Sequence, residues 1–229
     1  MTKTVLITGA SRGIGLTFTK HYLQEGWQVI AAARSPANAD ELRALAPYKI
    51  VQLDVADEES IVTAAKELEG EEIDLLVNNA GIFEDESLES FTKAGVMKQF
   101  EVNAVGSFLV TRAFVSHLKA AAPNSGLAKV ANVSSRLGSI SLNQEGGLYG
   151  YRASKAALNM INTSLAVDLK PLNITSIVFH PGYVATDMSA HKGVVQPEDS
   201  VNGLAKLIDE ATMEKTGKFY DFEGNALSW

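Results

Sequence analysis

The sequence has no cysteine, few histidines and no excess of positive charge. Without cysteine it can form no disulfide bond, thiolate nucleophile or thiolate metal site, which suits a reducing compartment, so we expect a cytoplasmic protein. The net charge of −7 disfavours nucleic acid and anionic membranes as partners, because phosphate binding requires a basic face. We expect no metal site, because no metal-ligand spacing relates the four histidines, His21, His117, His180 and His191.

Long apolar runs are missing as well. No run approaches the roughly 18 residues of a membrane-spanning helix, and no signal-peptide pattern precedes the first predicted strand. We therefore expect a soluble protein without membrane contact. With 46% hydrophobic residues, the 229-residue chain is long enough to bury a sizeable core, and we expect one domain over residues 1–229.

Short apolar segments alternate along the chain with segments of helical periodicity. The predicted strands cover residues 5–7, 27–33, 49–53, 73–77, 129–133, 174–179 and 217–222. We predict long helices over residues 91–122 and 151–169, each ended by a following proline, and a shorter helix over residues 201–211. This alternation predicts an α/β fold with a doubly wound parallel β-sheet of about seven strands, whose ligands bind outside the carboxyl ends of the strands.

A glycine-rich turn, T-G-A-S-R-G-I-G over residues 8–15, follows the first strand and opens a helix. Backbone amides at such a turn, together with the positive end of the helix dipole, form a site for a pyrophosphate, and glycine allows its close approach. A purely structural turn is the alternative. The predicted dinucleotide-binding residues of the turn are Gly9, Ser11, Arg12, Gly13, Ile14 and Gly15.

Tyr151 and Lys155 lie four residues apart at the start of a predicted helix and therefore share one face. A nearby ammonium favours the phenolate and lowers the pKa of a tyrosine, so Tyr151 becomes a candidate proton donor and acceptor. Tyr149 is six residues before Lys155 and would point to another side of the helix. The pattern Y-x-x-x-K is weak by itself, because it also occurs by chance in many helices.

Together these motifs resemble the short-chain dehydrogenase/reductase family over essentially the whole chain. The segments Y-R-A-S-K-A-A-L-N, H-P-G-Y-V-A-T-D-M and G-K-F-Y-D-F resemble especially its C-factor-like or sniffer-like carbonyl reductases. The resemblance implies a Rossmann-like sheet with helices on both faces, and hydride transfer between a nicotinamide and a small-molecule carbonyl or alcohol. A nucleotide-binding regulatory or signalling protein on the same fold is the alternative, because a fold does not determine function.

The resemblance implies four catalytic residues. Tyr151 would exchange the proton, Ser135 would hydrogen-bond the carbonyl oxygen, and Lys155 would lower the pKa of Tyr151 and hold the nicotinamide ribose. Asn103 would locally open its helix and hold a water linked to the lysine, although a polar residue satisfied by backbone bonds is the alternative. The pattern N-x-S-S-x-x-G assigns Ser135, but its separation from Tyr151 is longer than in many members, so Ser134 remains open.

The end of the second predicted strand favours NADP(H) over NAD(H). An NAD enzyme usually carries there an acidic residue that binds the ribose hydroxyls. This chain has Ala33 followed by Arg34, and Arg12 lies in the glycine-rich turn on the same side. Two guanidinium groups would bind a 2′-phosphate well. The alternative is that both arginines are solvated surface charges.

The resemblance also implies cofactor contacts after the third, fourth and sixth strands. The residues are Asp54, Val55, Asn79, Ala80, Gly81, Pro181, Gly182, Val184 and Thr186, besides Tyr151 and Lys155. For Asn78, which precedes Asn79 in the same N-N-A-G segment, a purely structural role is the alternative to a cofactor contact. Asp57 is a candidate cap of the helix that follows it. We expect His180 to be a satisfied structural histidine and residues 188–197 to be a short substrate lid.

The two long helices predict a homodimer, or a homotetramer containing that dimer. The helix over residues 151–169 carries one apolar stripe that can cover the sheet. It also carries a flatter stripe that another helix, from this chain or from a second subunit, can meet. This flat stripe consists of Ala153, Ala157, Met160, Ser164 and Val167.

Overall fold

Seven parallel strands form one sheet in the computed structural model of the chain, which describes residues 2–229. The strands are β1 (Thr4–Thr8), β2 (Gln28–Ala33), β3 (Lys49–Gln52), β4 (Leu75–Asn78), β5 (Ala128–Val133), β6 (Ile174–His180) and β7 (Phe219–Asp221). Their order is β3-β2-β1-β4-β5-β6-β7. The order reverses beside β1, so the crossovers place helices on both faces. The predicted doubly wound, Rossmann-like fold is confirmed.

The helices follow the predicted periodicity, with some different ends. They are α1 (Gly13–Gln24), α2 (Asp40–Ala44), α3 (Glu58–Glu67), α4 (Lys93–Phe100), α5 (Ser107–Ser125), α6 (Tyr149–Leu169) and α7 (Pro197–Asp209). The short α2 was not predicted. Helix α7 begins earlier than predicted, because proline suits a first helical position, where no N–H is needed. Asp57 caps α3 by accepting a hydrogen bond from the Glu59 amide (3.0 Å).

The long helix predicted within residues 91–122 has the local opening at Asn103 that the resemblance implies, but its predicted end before Pro123 is wrong. Helices α4 and α5 are separated by a π-helical turn over Glu101–Gly106, so the segment is not one regular helix. Helix α5 also continues through Pro123, which lies in its last turn, and stops at Gly126 with a φ of 79°. The positive φ of Gly126, rather than the proline, ends the helix.

Both faces of the sheet are buried. Val5 and Ile7 of β1 pack into a core with α1 and α7, whereas Leu6 packs into a second core with α3, α5 and α6. A strand that is covered on both sides reads as a continuous apolar run, which is the pattern of β1. No helix among residues 2–229 is both long and apolar enough to cross a membrane.

A buried hydrogen-bond network joins the middle strands to α5 and α6. The Asn78 amide donates to the Thr111 hydroxyl (2.9 Å) and to the Asn132 side-chain oxygen (2.9 Å). The Asn132 amide donates in turn to the Asn162 oxygen (2.9 Å), which also accepts from the Ser176 hydroxyl (2.8 Å). Asn78 therefore has the structural role that was open from the sequence.

Candidate active site

A cavity of about 530 Å³ lies outside the carboxyl ends of the strands. Its walls come from the loops after β1 to β6 and from the start of α6. Every predicted cofactor-binding residue lines it except Gly15, Gly182 and Val184. The sequence analysis missed other lining residues, among them Ile82, Lys98, Glu101, Val102, Asp187 and Met188.

The glycine-rich turn is shaped by close backbone approaches. A Cβ at Gly15 would lie 2.2 Å from the Gly9 carbonyl oxygen, so only glycine lets α1 pack against the turn. Gly9 and Gly13 have φ values of 65° and 53°, which favour glycine. The Asn79 side chain ties the turn to the loop after β4 by donating to the Thr8 carbonyl (3.0 Å).

The start of α1 fits the diphosphate of a dinucleotide. Arg12 occupies the N-cap position and makes no capping hydrogen bond with its side chain, and the first turn of α1 contains no acidic residue. The first amides of α1 therefore keep their hydrogen-bonding capacity for an anion, which the helix dipole also favours. This agrees with the pyrophosphate site predicted from the glycines.

The two arginines predicted to select the cofactor both line the cavity. The Arg12 guanidinium lies 3.6 Å from the Asp187 carboxylate, and both side chains are more than half exposed. Such an exposed ion pair is weak, so a phosphate can compete for Arg12. Asp54 also lines the cavity and accepts a hydrogen bond from the Ala56 amide (3.0 Å).

Tyr151 and Lys155 stand on adjacent turns of α6, at the inner wall of the cavity. Lys155 is 4% exposed, and its ammonium donates to the Val133 carbonyl (2.9 Å). The ammonium lies 5.8 Å from the centroid of the Tyr151 ring. The lysine is therefore aimed at the end of β5 and passes close to the tyrosine ring.

Burial shifts the pKa values of both groups. It lowers the pKa of Lys155 to about 8 and raises the pKa of Tyr151 to about 12, with the Ser135 hydroxyl opposing the second shift. The net shift of the Tyr151 pKa is therefore upward, and a lowering by Lys155 stays a prediction. Desolvation of the phenolate dominates, because the ammonium is bonded to Val133 rather than to the phenol.

The two serines after β5 point in different directions. The Ser134 hydroxyl donates to the Asn159 side-chain oxygen (2.7 Å), beneath α6. The Ser135 hydroxyl accepts from the Leu137 amide (3.1 Å) and acts to lower the pKa of Tyr151, against the effect of burial. Alternation along an extended strand separates the two side chains in this way. The placement favours Ser135 as the partner of Tyr151.

Asn103 is fully buried in the π-helical turn. Its side-chain oxygen accepts from the Ile82 amide (2.8 Å), and its amide donates to the Ile82 carbonyl (2.9 Å) and the Ser154 hydroxyl (3.0 Å). These bonds match the structural alternative weighed for this residue. The predicted water linked to Lys155 stays a prediction. Gly106, costly in a helix, is required here because a Cβ would lie 2.5 Å from the Val55 carbonyl oxygen.

His180 does not meet the expectation of a satisfied histidine. Its Nδ1 atom is buried and has no hydrogen-bond partner among residues 2–229. Burial, assisted by the charge of Arg136, lowers the pKa of His180 to about 4. The imidazole is therefore neutral near pH 7.

The segment predicted to be a lid is joined near its end to residues 183–185. The Ala185 amide donates to the Val195 carbonyl (2.9 Å), and the Val195 amide donates to the Tyr183 carbonyl (3.0 Å). A Cβ at Gly193 would lie 2.2 Å from the Val184 carbonyl carbon, so glycine is required at the crossing. Met188 lines the cavity, and a lid function stays a prediction.

Comparison with known proteins identifies the family. A sequence profile described as short chain dehydrogenase matches residues 3–196. The chain belongs to this family. As a short-chain dehydrogenase it is an oxidoreductase, and the family prediction is confirmed.

Relatives and solved structures cover the chain broadly. C-signal of Myxococcus xanthus is 39% identical over 158 residues, which are 69% of this chain and 93% of that protein. The structure of NADPH-bound carbonyl reductase from chicken fatty liver is 35% identical, with a TM-score of 0.93 over 100% of this chain and 99% of that one. Carbonyl reductase Sniffer of D. melanogaster is 30% identical, with a TM-score of 0.95 over 100% of both chains.

The buried ammonium leads to a prediction about stability. In the fold the pKa of Lys155 is about 8, below its ordinary value of 10.5, so below pH 8 the protein holds a buried charge at a cost. Between these two values the unfolded state keeps a proton that the folded state has lost, and stability rises with pH. We expect Lys155→Met to raise the melting temperature at pH 7 by at least about 2 °C. The difference in melting temperature between Lys155→Met and the wild type should shrink as the pH rises from about 8 to 10.5.

Melting curves from pH 7 to 10.5 measure the effect. Lys119→Met, at an exposed position on α5, is the matched control and should show no comparable dependence on pH. A Lys155→Met protein that melts below the wild type at pH 7 would contradict the cost assigned to the buried charge.

Proposed function

We propose that this short-chain dehydrogenase is an NADPH-dependent carbonyl reductase acting on a small-molecule carbonyl, or on the alcohol in reverse. The observation that carries the proposal is the meeting of Tyr151, Lys155 and Ser135 at one end of β5, opposite a glycine-rich turn that fits a diphosphate. The NADPH-bound carbonyl reductase from chicken fatty liver, similar over the whole chain, supports it. A regulatory protein without catalysis is not favoured, because every catalytic residue type of the family is present. We propose a cytoplasmic location.

The residues around the reacting carbonyl have separate tasks. NADPH, when bound, supplies the hydride. With its pKa raised to about 12, Tyr151 is protonated near neutral pH, which is the state that a proton donor requires. Ser135 hydrogen-bonds the developing alkoxide, and Lys155 holds the nicotinamide ribose through its buried ammonium. Asn103 holds the loop at Ile82 in place, beside Gly81 and the lysine.

We propose the remaining predicted contacts as the cofactor site. The backbone of Gly9, Ser11, Gly13 and Ile14 would hold the diphosphate, with Gly15 keeping α1 close. Asp54 and Val55 would contact the adenine, and Asn79, Ala80 and Gly81 the adenosine ribose. The nicotinamide would be contacted by Pro181, Gly182, Val184 and Thr186.

Replacing Arg34 tests the preference for NADP(H). One charge-assisted contact to the 2′-phosphate is lost in Arg34→Ala, which should weaken NADPH binding by about tenfold to a hundredfold and leave NADH binding nearly unchanged. Titration of both cofactors by fluorescence measures the ratio. Arg43→Ala is the matched control, because Arg43 is an exposed arginine paired with Asp40. Equal binding of NADH and NADPH by the wild type would refute the preference.

Two tyrosines of the first turn of α6 test the acid-base assignment. Tyr151→Phe removes one hydroxyl and little volume, so folding and NADPH binding should survive. Carbonyl reduction should fall by at least roughly a hundredfold, as is typical for a lost proton donor. Tyr149→Phe is the matched control and should stay active. Its ring packs edge-on against Phe91, whereas the Tyr151 ring packs against Phe83.

Steady-state rates on a panel of aldehydes, ketones, diketones and quinones, with NADPH oxidation followed by absorbance, provide the test. Substantial turnover by Tyr151→Phe on a substrate of the wild type would rule out the proposed mechanism.

We propose that the protein is a homodimer, or a homotetramer containing that dimer, built on the flat stripe of α6. Met160 and Val167 of this stripe are 67% and 70% exposed, and the neighbouring helix α5 exposes Phe108. Water-exposed apolar groups on adjacent long helices favour burial against a second copy.

Light scattering at micromolar concentration should give at least twice the monomer mass, and Met160→Glu should reduce it. Val62→Glu on α3 is the control, and a strictly monomeric wild type would contradict the proposal.

A further inference from the structure

Helix α6, which carries Tyr151 and Lys155, begins without a cap of its own. Leu148 precedes it in a left-handed conformation, with φ 50° and ψ 41°, and makes no capping hydrogen bond with its side chain. The first turn of α6 contains no acidic residue. The first amides of a helix have no partner within the helix, so at this place they need one from elsewhere. A large side chain in the left-handed region also needs support from its surroundings.

Glu86 provides both forms of support from another part of the chain. Its carbonyl oxygen accepts from the Leu148 amide (2.9 Å), which holds the left-handed residue. Its carboxylate accepts from the Gly150 amide (2.9 Å), which is one of the uncapped amides of α6. Glu86 thus contacts the residue before the helix and the second residue within it.

The carboxylate of Glu86 lies in a space that two glycines create. The side chain is buried, with Glu86 7% exposed. A Cβ at Gly150 would lie 2.7 Å from one carboxylate oxygen, and a Cβ at Gly95 of α4 would lie 2.8 Å from the other. Glycine is unfavourable within a helix, yet α4 and α6 each have one where they meet this carboxylate. The positive end of the α6 dipole compensates the buried negative charge.

The loop that carries Glu86 is fastened along its length to the same helices. Ile82 is held on both its amide and its carbonyl by Asn103. The Phe83 ring packs edge-on against Tyr151, with centroids 5.1 Å apart. The Glu84 amide donates to the side-chain oxygen of Gln99 in α4 (3.1 Å). Residues 82–86 therefore connect α4 with the start of α6.

We propose that Glu86 is a positioning residue, which caps α6 from outside the helix and thereby sets the place of the Tyr151 hydroxyl. The role in catalysis rests on the function proposed above for Tyr151. Tyr151 follows directly on Gly150, whose amide the carboxylate binds. When the Glu86 carboxylate is lost, the first turn of α6 and the Tyr151 hydroxyl on it are no longer held in position. Lys155 lies one turn further along α6 and stays in place.

Three substitutions separate the contact from the charge. Glu86→Gln keeps the length of the side chain and an oxygen acceptor, so kcat should stay within about threefold of the wild type. Glu86→Asp keeps the charge but is too short to reach the Gly150 amide, and Glu86→Ala removes both. In these two variants kcat should fall at least about tenfold, as expected for a misplaced catalytic group. The Kd for NADPH should remain within about threefold, because Glu86 bonds to Leu148 and Gly150, which are not among the residues proposed to hold the dinucleotide.

Hydrogen exchange supplies a readout that does not depend on turnover. Amides 149–152 should lose protection in the Asp variant and keep it in the Gln variant, while amides in the rest of α6 stay protected in both. If the Ala variant fails to fold, the comparison of Gln with Asp still decides. Glu89→Gln is the matched control, because Glu89 is exposed and its carboxylate accepts locally from the Ser87 hydroxyl (2.7 Å), and its kcat should change less than about threefold.

The outcomes distinguish this inference from the proposed function. An Asp variant with wild-type kcat and wild-type protection of amides 149–152 would overturn the capping role. A Gln variant as impaired as the Asp variant would also overturn it, because an oxygen acceptor within reach of the Gly150 amide would then not be sufficient. If the wild type reduces no carbonyl of the panel, the proposed function fails, and the exchange pattern still tests the cap.

Discussion

A parallel sheet covered by helices on both faces leaves its loops at only two edges, and the arrangement of the site depends on this constraint. All strands run the same way, so the loops after β1, β4, β5 and β6 meet at the carboxyl edge. Residues far apart in the chain become neighbours there, such as the Val133 carbonyl and the Lys155 ammonium. The backbone of the sheet thereby places the glycine-rich turn opposite Tyr151.

Buried polar groups hold this edge together at a cost in stability. Lys155 keeps its ammonium out of water, and burial lowers its pKa. The network from Thr111 through Asn132 to Ser176 ties three strands to two helices in an otherwise apolar interior. Buried hydrogen bonds of this kind contribute little net stability but are costly to break, so they favour one arrangement over slipped alternatives.

Burial affects the protonation state of the Tyr151 phenol more than the nearby Lys155 ammonium does. Burial raises the pKa of Tyr151, and the lysine is bonded to a backbone carbonyl. A protonated phenol suits reduction, where the tyrosine donates. It also makes the geometry of the first turn of α6 important, because a donor must reach the carbonyl oxygen within hydrogen-bond distance. The contacts of residues 82–86 hold that turn.

The sequence by itself determined the features that depend on local spacing. The alternation of strands and helices predicted the sheet, the glycines predicted a strand–turn–helix for a diphosphate, and the four-residue interval predicted that Tyr151 and Lys155 share a face. Tertiary structure decided what depends on distant partners. The Ser134 hydroxyl bonds to Asn159, and the Asn78 amide bonds to Asn132. Burial raises the pKa of Tyr151, where a lower pKa was expected. Glu86 caps a helix that begins more than sixty residues later in the chain. Such contacts leave no periodic pattern in the sequence, because they arise only where separate segments cross.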